Sequence, residues 1–431
     1  MLEIGIGILG FGTVGAGVVE ALQRHRHLIG HRTEVALTVK QIADLDTESD
    51  RGVELDPSLL TTDAEAVISN PEVEIVVETI GGTTVAKDLI LKALDSGKPV
   101  VTANKALLAV HGKELFAAAS ANNVDFMYEA SVAGGIPVLA ALRRGLVANH
   151  INAIYGIVNG TCNYILTEME HNGVSFSEAL ASAQALGFAE ADPGLDIDGI
   201  DTAHKTAVLG SLAYGYAVDI NAVHTQGIRE VRQVDISTAR ELGYRIKLLA
   251  SIQYRDGMSE MSVSPTLVPE EHLLAAVHGE NNAVMVDGDV VGETMYYGKG
   301  AGRLPTASAV VADICEVAVN LATDVHSRLP ALVVHDHYGA MRDFDDVRLR
   351  YYIRMDLLNR PGVLALVAGI LGKYDISIAS VIQREAVIGE KIPVIFLTQE
   401  ACQSNYRDAL EEIARLSEVG EEAACFRIAD I

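Results

Sequence analysis

At 431 residues the chain is too long for one ordinary compact domain, so two or three are expected. A composition of 49% hydrophobic and 21% charged residues is that of a globular protein with large cores. No apolar run reaches the roughly 18 to 20 residues of a membrane span, and a formal charge of −25 argues against nucleic acid or an anionic membrane as the main partner.

The opening MLEIGIGILGFG has neither a basic stretch nor a cleavage site, and reads as a strand running into a glycine turn rather than a signal peptide. Strands are expected at Ile4–Leu9, Val35–Ala43, Val73–Glu78, Lys98–Thr102 and Val124–Tyr128. Helical patterns lie between them at Val14–Gln23, Val85–Leu94 and Lys105–Ala121. Strand and helix in this rhythm predict a parallel sheet covered on both faces.

At the first strand–helix turn stands Gly10-Phe11-Gly12-Thr13-Val14-Gly15, a GxGxxG in its proper context. The first glycine allows the tight turn, the second lets a pyrophosphate approach the backbone, and the third brings helix and strand together. The helix N-terminus then holds the negative charge. This predicts a Rossmann-type dinucleotide-binding domain. Asp44, at the end of the second strand, would accept hydrogen bonds from the ribose hydroxyls and repel a 2′-phosphate, which favours NAD. Read without a ligand, it only opens a polar turn, and the choice between NAD and NADP stays open.

From about Ser131 the pattern changes to an α+β one. Helices are expected at Asn163–His171, Ser177–Leu186 and Asp201–Tyr216, with strands at Lys247–Tyr254, Met261–Val268 and Ala283–Val286. The helical segment Pro305–Ala322 is expected to pack back on the first domain. A polar connection, His335–Val347, leads to a last unit of strand Tyr351–Leu357, a helix opened by Asn359-Arg360-Pro361-Gly362-Val363, strands Ile376–Gln383 and Lys391–Thr398, a helix near Ser404–Leu416 and strand Ala423–Ile428. The order βαββαβ is ferredoxin-like. The expected domains are 1–130, completed by about 305–325, for the dinucleotide; 131–304 for substrate binding and dimerisation; a linker at 326–349; and 350–431 for the last unit.

Cys162, Cys315, Cys402 and Cys425 lie far apart, with no CxxC and no histidine cluster beside them. That argues against a disulfide framework or a structural zinc and for a reducing, cytoplasmic setting. Cys162 opens an apolar helical run and is expected to be buried and inert. The alternative is a thiol nucleophile of an aldehyde-oxidising dehydrogenase, but no general-base histidine accompanies it.

The acid-rich stretch Gly187–Lys205 is the candidate catalytic segment. Asp201 and Lys205 are four residues apart and share a helix face. The helix continues apolar nearly all round, so it is expected to be buried. A charged pair on a buried helix points to a polar active-site cavity. Lys105, after Thr102-Ala103-Asn104, and Thr79, before Gly81-Gly82, are both aimed at the carboxyl edge of the sheet, where ligands bind in open α/β folds.

Together the motifs resemble those of the homoserine dehydrogenase family: GFGTVG at Gly10–Gly15, ETIGG at Glu78–Gly82, TANK at Thr102–Lys105, EASVAGGIP at Glu129–Pro137, GIVNGTCNYIL at Gly156–Leu166, GFAEADPGLDIDGIDTAHK at Gly187–Lys205 and GAGRLPTASAV at Gly300–Val310. The resemblance implies reversible reduction of L-aspartate 4-semialdehyde to L-homoserine in threonine, methionine and isoleucine biosynthesis. It implies Lys205 as proton donor, Asp201 and Lys105 as orienting groups, and Glu190 and Asp196 as substrate-binding residues. Phe11, Thr13, Val14, Thr79, Lys105 and Gly302 would line the nicotinamide cofactor. A monovalent cation, usually sodium, would sit on backbone carbonyls of Glu129, Val132, Gly134 and Ile136. The last unit resembles an ACT domain, in Leu358–Leu364 and Asp375–Ile378. That implies an amino-acid effector, threonine most often, and a homodimer or homotetramer. A non-catalytic metabolite sensor is the rival reading; the Glu190, Asp201 and Lys205 set argues against it.

Overall fold

A computed structural model describes residues 1–326, 328, 330–335 and 340–431, with the side chains of Glu421 and Glu422 excepted. Residues 336–339 of the expected polar connection lie outside the described residues. The chain forms two compact units. The first comprises Met1–Val158, Asp201–Asn221 and Asn281–Tyr338; the second comprises Asn159–Ile200, Ala222–Glu280 and Gly339–Ile431.

In the first unit, strand β1 (Leu2–Leu9), helix α1 (Thr13–Thr33), β2 (Val35–Ala43), β3 (Leu60–Thr61), α2 (Ala64–Ser69), β4 (Ile75–Glu78), α3 (Val85–Asp95), β5 (Val100–Thr102), α4 (Lys105–Ala121) and β6 (Phe126–Met127) follow one another. The strands form a parallel sheet in the order β3-β2-β1-β4-β5-β6. This is the doubly wound order, and its direction reverses between β1 and β4. Ile4, Ile6 and Ile8 are buried, as are Val76 and Val77, because a central parallel strand is covered on both faces.

The helix α1 outruns the expected Val14–Gln23. Leu22 is its last buried apolar side chain, and beyond a kink at His25 a mostly polar extension, with Ile29 still packed on the core, stops at Glu34, in the left-handed region. The helix Arg303–Ala322 packs on α1, and its Ala307, Val310, Ile314 and Val317 join Ile6, Ile8, Val18 and Val19 in one core. By length and composition it is apolar enough to cross a membrane. Half of its most apolar stretch is buried inside this unit, which is the burial of a core helix. The remaining strands, Gly292–Lys299, Asn281–Gly288 and Ile151–Ile157, pair antiparallel in that order. The outer two were not expected from sequence.

The second unit carries the hairpin Tyr244–Arg255 and Met258–Pro269, closed by Asp256-Gly257 with positive φ at both residues. That is the geometry a two-residue Asp-Gly hairpin turn demands. Helices Gly160–Asn172, Phe176–Ala185 and Gln233–Glu241 belong here too. The last part is the expected βαββαβ: strands Arg348–Leu358, Ile378–Gln383, Lys391–Thr398 and Val419–Ile428, with helices Val363–Lys373 and Gln403–Ile413. Pro361 lies in the turn before its helix rather than in the first helical turn, and Gly362 caps that helix with φ +93°. Strand Val419–Ile428 also pairs in parallel with Met258–Pro269, through Thr266↔Arg427 and Leu267↔Ile428.

Candidate active site

The strand reversal between β1 and β4 sets two loops side by side. Gly10 leaves β1 with φ +99°, and its N–H donates to Ala43 O at 2.8 Å. A Cβ on Gly15 would lie 2.0 Å from Gly10 O, so only glycine lets α1 start this close to the strand. A Cβ on Gly12 would meet nothing within 4 Å: its Cα faces open space at the N-terminus of α1. Thr79, just after β4, donates its hydroxyl to Gly10 O at 2.8 Å. Asp44 accepts the N–H of Phe11 at 2.5 Å through one carboxylate oxygen and that of Asp46 at 2.9 Å through the other. The Phe11 ring itself is buried in the core. A cavity of about 350 Å³ gathers Gly10, Gly12, Asp44 and Thr79, with Val85 and Leu89 among its apolar walls.

A second cavity, of about 250 Å³, brings together Thr13, Val14, Lys105, Gly134, Lys205 and Gly302. Lys205 projects from the helix Ile200–Tyr214, which is buried along most of its length. Its ammonium donates to Val158 O at 2.6 Å and to Asp201 Oδ2 at 2.7 Å. The other Asp201 oxygen lies 3.2 Å from Lys105 Nζ, so one buried carboxylate stands between two ammonium groups. His204, on the same helix, has its pKa lowered by burial and, after that, by the two lysines, partly offset by Asp201.

The turn after β6 forms one wall. Ala133 and Gly134 both have positive φ, and a Cβ on Gly134 would lie 2.4 Å from Gly300 O. The Glu129 carboxylate accepts the N–H groups of Leu139 at 2.9 Å and Ala140 at 2.6 Å, and the Glu129 N–H donates to Asp313 Oδ2 at 2.8 Å. Burial pushes both carboxyls up, to about 7 each. The carbonyls of Glu129 and Ile136 each accept one backbone N–H, from Val132 at 3.4 Å and Val138 at 2.8 Å.

Glu190 and Asp196 belong to the second unit. Glu190 is exposed, and its carbonyl accepts the Gln184 side chain at 3.0 Å. Asp196 accepts the Asn159 amide at 2.7 Å. Cys162 is fully buried, its N–H capped by Asn159 at 2.8 Å and its thiol 3.2 Å from Asp196 O. Sequence reasoning missed Asp313, which is 184 residues from Glu129, and Val158, which acts through a carbonyl that has no residue signature.

Comparison with known proteins agrees with this architecture. The family model "Homoserine dehydrogenase, NAD binding domain" matches residues 10–129, "Homoserine dehydrogenase" matches 137–315, and "ACT domain" matches 351–418. A homoserine dehydrogenase of Pseudomonas aeruginosa is 43% identical over 99% of both chains. The crystal structure of a homoserine dehydrogenase from Thiobacillus denitrificans superposes with a TM-score of 0.91 at 42% identity, over 99% of this chain and 98% of that one. A hyperthermophilic archaeal homoserine dehydrogenase in complex with NADPH superposes with a TM-score of 0.64 at 28% identity, over 74% of this chain and 98% of that one. The chain therefore belongs to the homoserine dehydrogenase family, as a nicotinamide-dependent oxidoreductase that carries a C-terminal ACT domain.

Proposed function

We propose that the chain interconverts L-aspartate 4-semialdehyde and L-homoserine with Lys205 as the proton-transferring group, Asp201 and Lys105 orienting and polarising, and Glu190 and Asp196 binding the substrate. The observation that carries this is the Lys105–Asp201–Lys205 arrangement at a cavity shared with the start of α1. An ammonium group has three donors. Val158 O and Asp201 occupy two of those on Lys205, which leaves one for a carbonyl oxygen. The bound nicotinamide supplies or takes the hydride. As the carbonyl oxygen gains charge, the Lys205 ammonium stabilises it and hands over the proton; in the oxidative direction the neutral amine takes the hydroxyl proton back.

The cofactor is assigned to Gly10, Phe11, Gly12, Thr13, Val14, Gly15, Asp44, Thr79, Lys105 and Gly302. The open space at Gly12 supports this, since a pyrophosphate needs the backbone uncovered there. NAD is preferred over NADP in this reading, because Asp44 lines the first cavity and, among the described residues, no lysine or arginine does. A sodium ion is assigned to the carbonyls of Glu129, Val132, Gly134 and Ile136, a set of hard oxygen donors in one turn. The ACT domain is assigned a threonine effector near Asn359, Arg360 and Gln383, which line a small cavity. The reading is completed by the domain limits 1–130 with 305–325, 131–304 and 350–431, by a homodimer or homotetramer, and by a place in threonine, methionine and isoleucine biosynthesis. It also takes the cytoplasm as its setting, in keeping with four cysteines of which none forms a disulfide.

The test is absorbance at 340 nm with homoserine and NAD or NADP side by side, for the parent and Lys205→Ala. A loss of about 10²- to 10⁴-fold in kcat is expected for the variant, with higher kcat/KM for NAD in the parent. Parent-like turnover by Lys205→Ala would overturn the mechanism, and a preference for NADP would overturn the role of Asp44.

A further inference from the structure

Glu78 is a completely buried acid that takes no part in the steps above. It ends β4 after the apolar, buried Ile75, Val76 and Val77, where another apolar side chain would cost less. Three donors converge on its carboxylate. One oxygen accepts the N–H groups of Ile80 at 2.8 Å and Gly81 at 2.9 Å; the other accepts the Thr102 hydroxyl at 2.6 Å. Thr102 is the residue paired with Glu78 across β4 and β5.

The chain of contacts continues. Thr102 Oγ1 accepts the N–H of Asn104 at 3.0 Å. Asn104 is buried and uses both ends of its amide. Its oxygen caps α4 by accepting the Leu107 N–H at 3.1 Å, and its nitrogen donates to Gly82 O at 2.7 Å. Lys105 follows as the first residue of α4, with its ammonium 3.2 Å from Asp201. The neighbouring Thr79 bonds Gly10 O, so two consecutive side chains tie the glycine loop and the lysine helix to one strand end.

We infer that Glu78 is a positioning residue. Through Thr102 and Asn104 it holds the Thr79–Gly82 turn and the first turn of α4 in one register, and so sets where the Lys105 ammonium stands against Asp201. Only a group that accepts and never donates satisfies this geometry. A glutamine would turn an N–H toward Thr102 Oγ1, which already accepts from Asn104, and would leave the threonine hydroxyl without an acceptor.

The inference rests on the proposed role of Lys105, and a double-mutant cycle separates the two. Thr102→Val, Thr102→Ser, Glu78→Gln, Lys105→Ala and the Thr102→Val/Lys105→Ala pair are made in the full chain. Folding is checked by circular dichroism, and single-turnover rates are measured at high enzyme concentration. Thr102→Val and Glu78→Gln are each expected to lower kcat by about tenfold or more, with a smaller change in homoserine KM. Thr102→Ser restores most of the rate, and in the Lys105→Ala background Thr102→Val costs less than about twofold further. Equal cost in both backgrounds, or a serine variant no better than valine, would overturn the positioning role. Parent-like turnover by Lys105→Ala would instead sink the role of Lys105, and this inference with it. If Thr102→Val does not fold, Thr102→Ala read against Thr102→Ser makes the same comparison.

Discussion

Two buried lysines show how strongly the immediate neighbours of a side chain decide its chemistry. Lys205 has the carboxylate of Asp201 at 2.7 Å as well as a backbone carbonyl. Lys247, fully buried in the strand Tyr244–Arg255, has the carbonyl of Val277 at 2.6 Å and the Asn163 amide oxygen at 3.5 Å. Glu170, the acid that favours its charge, is paired with Arg245 at 2.6 Å. Burial therefore pulls the Lys247 pKa down to about 8, with Arg245 pulling the same way and Glu170 opposing. The folded chain sheds this proton near pH 8 while the unfolded chain keeps it to about 10.5. Between those values the unfolded state binds more protons, so this group makes stability rise with pH, and its burial costs stability below that window. Denaturant titrations at pH 7.5 and pH 10 are expected to show that Lys247→Met loses this rise relative to the parent. An unchanged pH difference would show that Lys247 titrates normally. At the same scale, Cys162 is fully buried with its thiol against a backbone carbonyl, and its burial is what its place in an apolar helical run implies.

Elements add what single residues do not: a direction and a terminus. The loop between β1 and α1 carries two glycines, three residues apart, in different surroundings. Gly15 is needed for the approach of helix to strand, while Gly12 has open space beside its Cα. Gly12→Ala is thus expected to change stability by no more than about 1 kcal/mol, the scale of an exchange at a helix N-cap. The same change weakens nicotinamide binding by about tenfold or more, because a methyl group enters the pyrophosphate's approach. Gly15→Ala is expected to lower the melting temperature clearly as well. Melting curves with and without cofactor, beside fluorescence titration of the cofactor, distinguish the two; equal effects at both positions would contradict the division. The helix Ile200–Tyr214 works in the same way. Its i, i+4 spacing brings Asp201 and Lys205 together, and Lys205, so paired, lines the cavity.

At the scale of the whole molecule, the last βαββαβ part is joined to the rest of the second unit by more than a linker. Asp235, fully buried at the start of the helix Gln233–Glu241, accepts from Arg354 at 2.8 Å and from Tyr352 at 2.9 Å, both on the first ACT strand. Burial raises the Asp235 pKa even against the pull of Arg354. Arg384 forks onto Glu241, and Val419–Ile428 extends the sheet from Met258–Pro269. Cutting the chain at about residue 349 would strip Asp235 of both partners and open a strand edge. The truncated protein is expected to melt at lower temperature and to aggregate. Asp235→Ala, which strands the Arg354 charge, is expected to cost about 3 to 5 kcal/mol in chemical denaturation. A truncated chain as stable as the parent would show that the ACT part is only tethered. Effector binding is for that reason better tested with Asn359→Ala in the intact chain, where the inhibition by threonine proposed above is expected to weaken while turnover without threonine stays.

What the sequence determined by itself was whatever depends on residues close along the chain. The glycine loop after an apolar strand, the Asp201–Lys205 spacing on an apolar helix and the order of the βαββαβ elements are all set by local periodicity and turn chemistry. Elements run past their apolar pattern at α1, where a mostly polar extension follows the kink at His25, and at Tyr244–Arg255, which starts before the expected Lys247. Strands Ile151–Ile157 and Gly292–Lys299 escaped because what makes them strands is their pairing with Asn281–Gly288. Only the tertiary structure decided which distant groups meet. Glu129 with Asp313, Asp235 with Arg354, and Lys205 with the Val158 carbonyl are contacts between residues 47 to 184 positions apart. No composition or spacing encodes such pairs, because hydrogen bonds of this kind are made by whichever donors and acceptors the packed core brings within 3 Å.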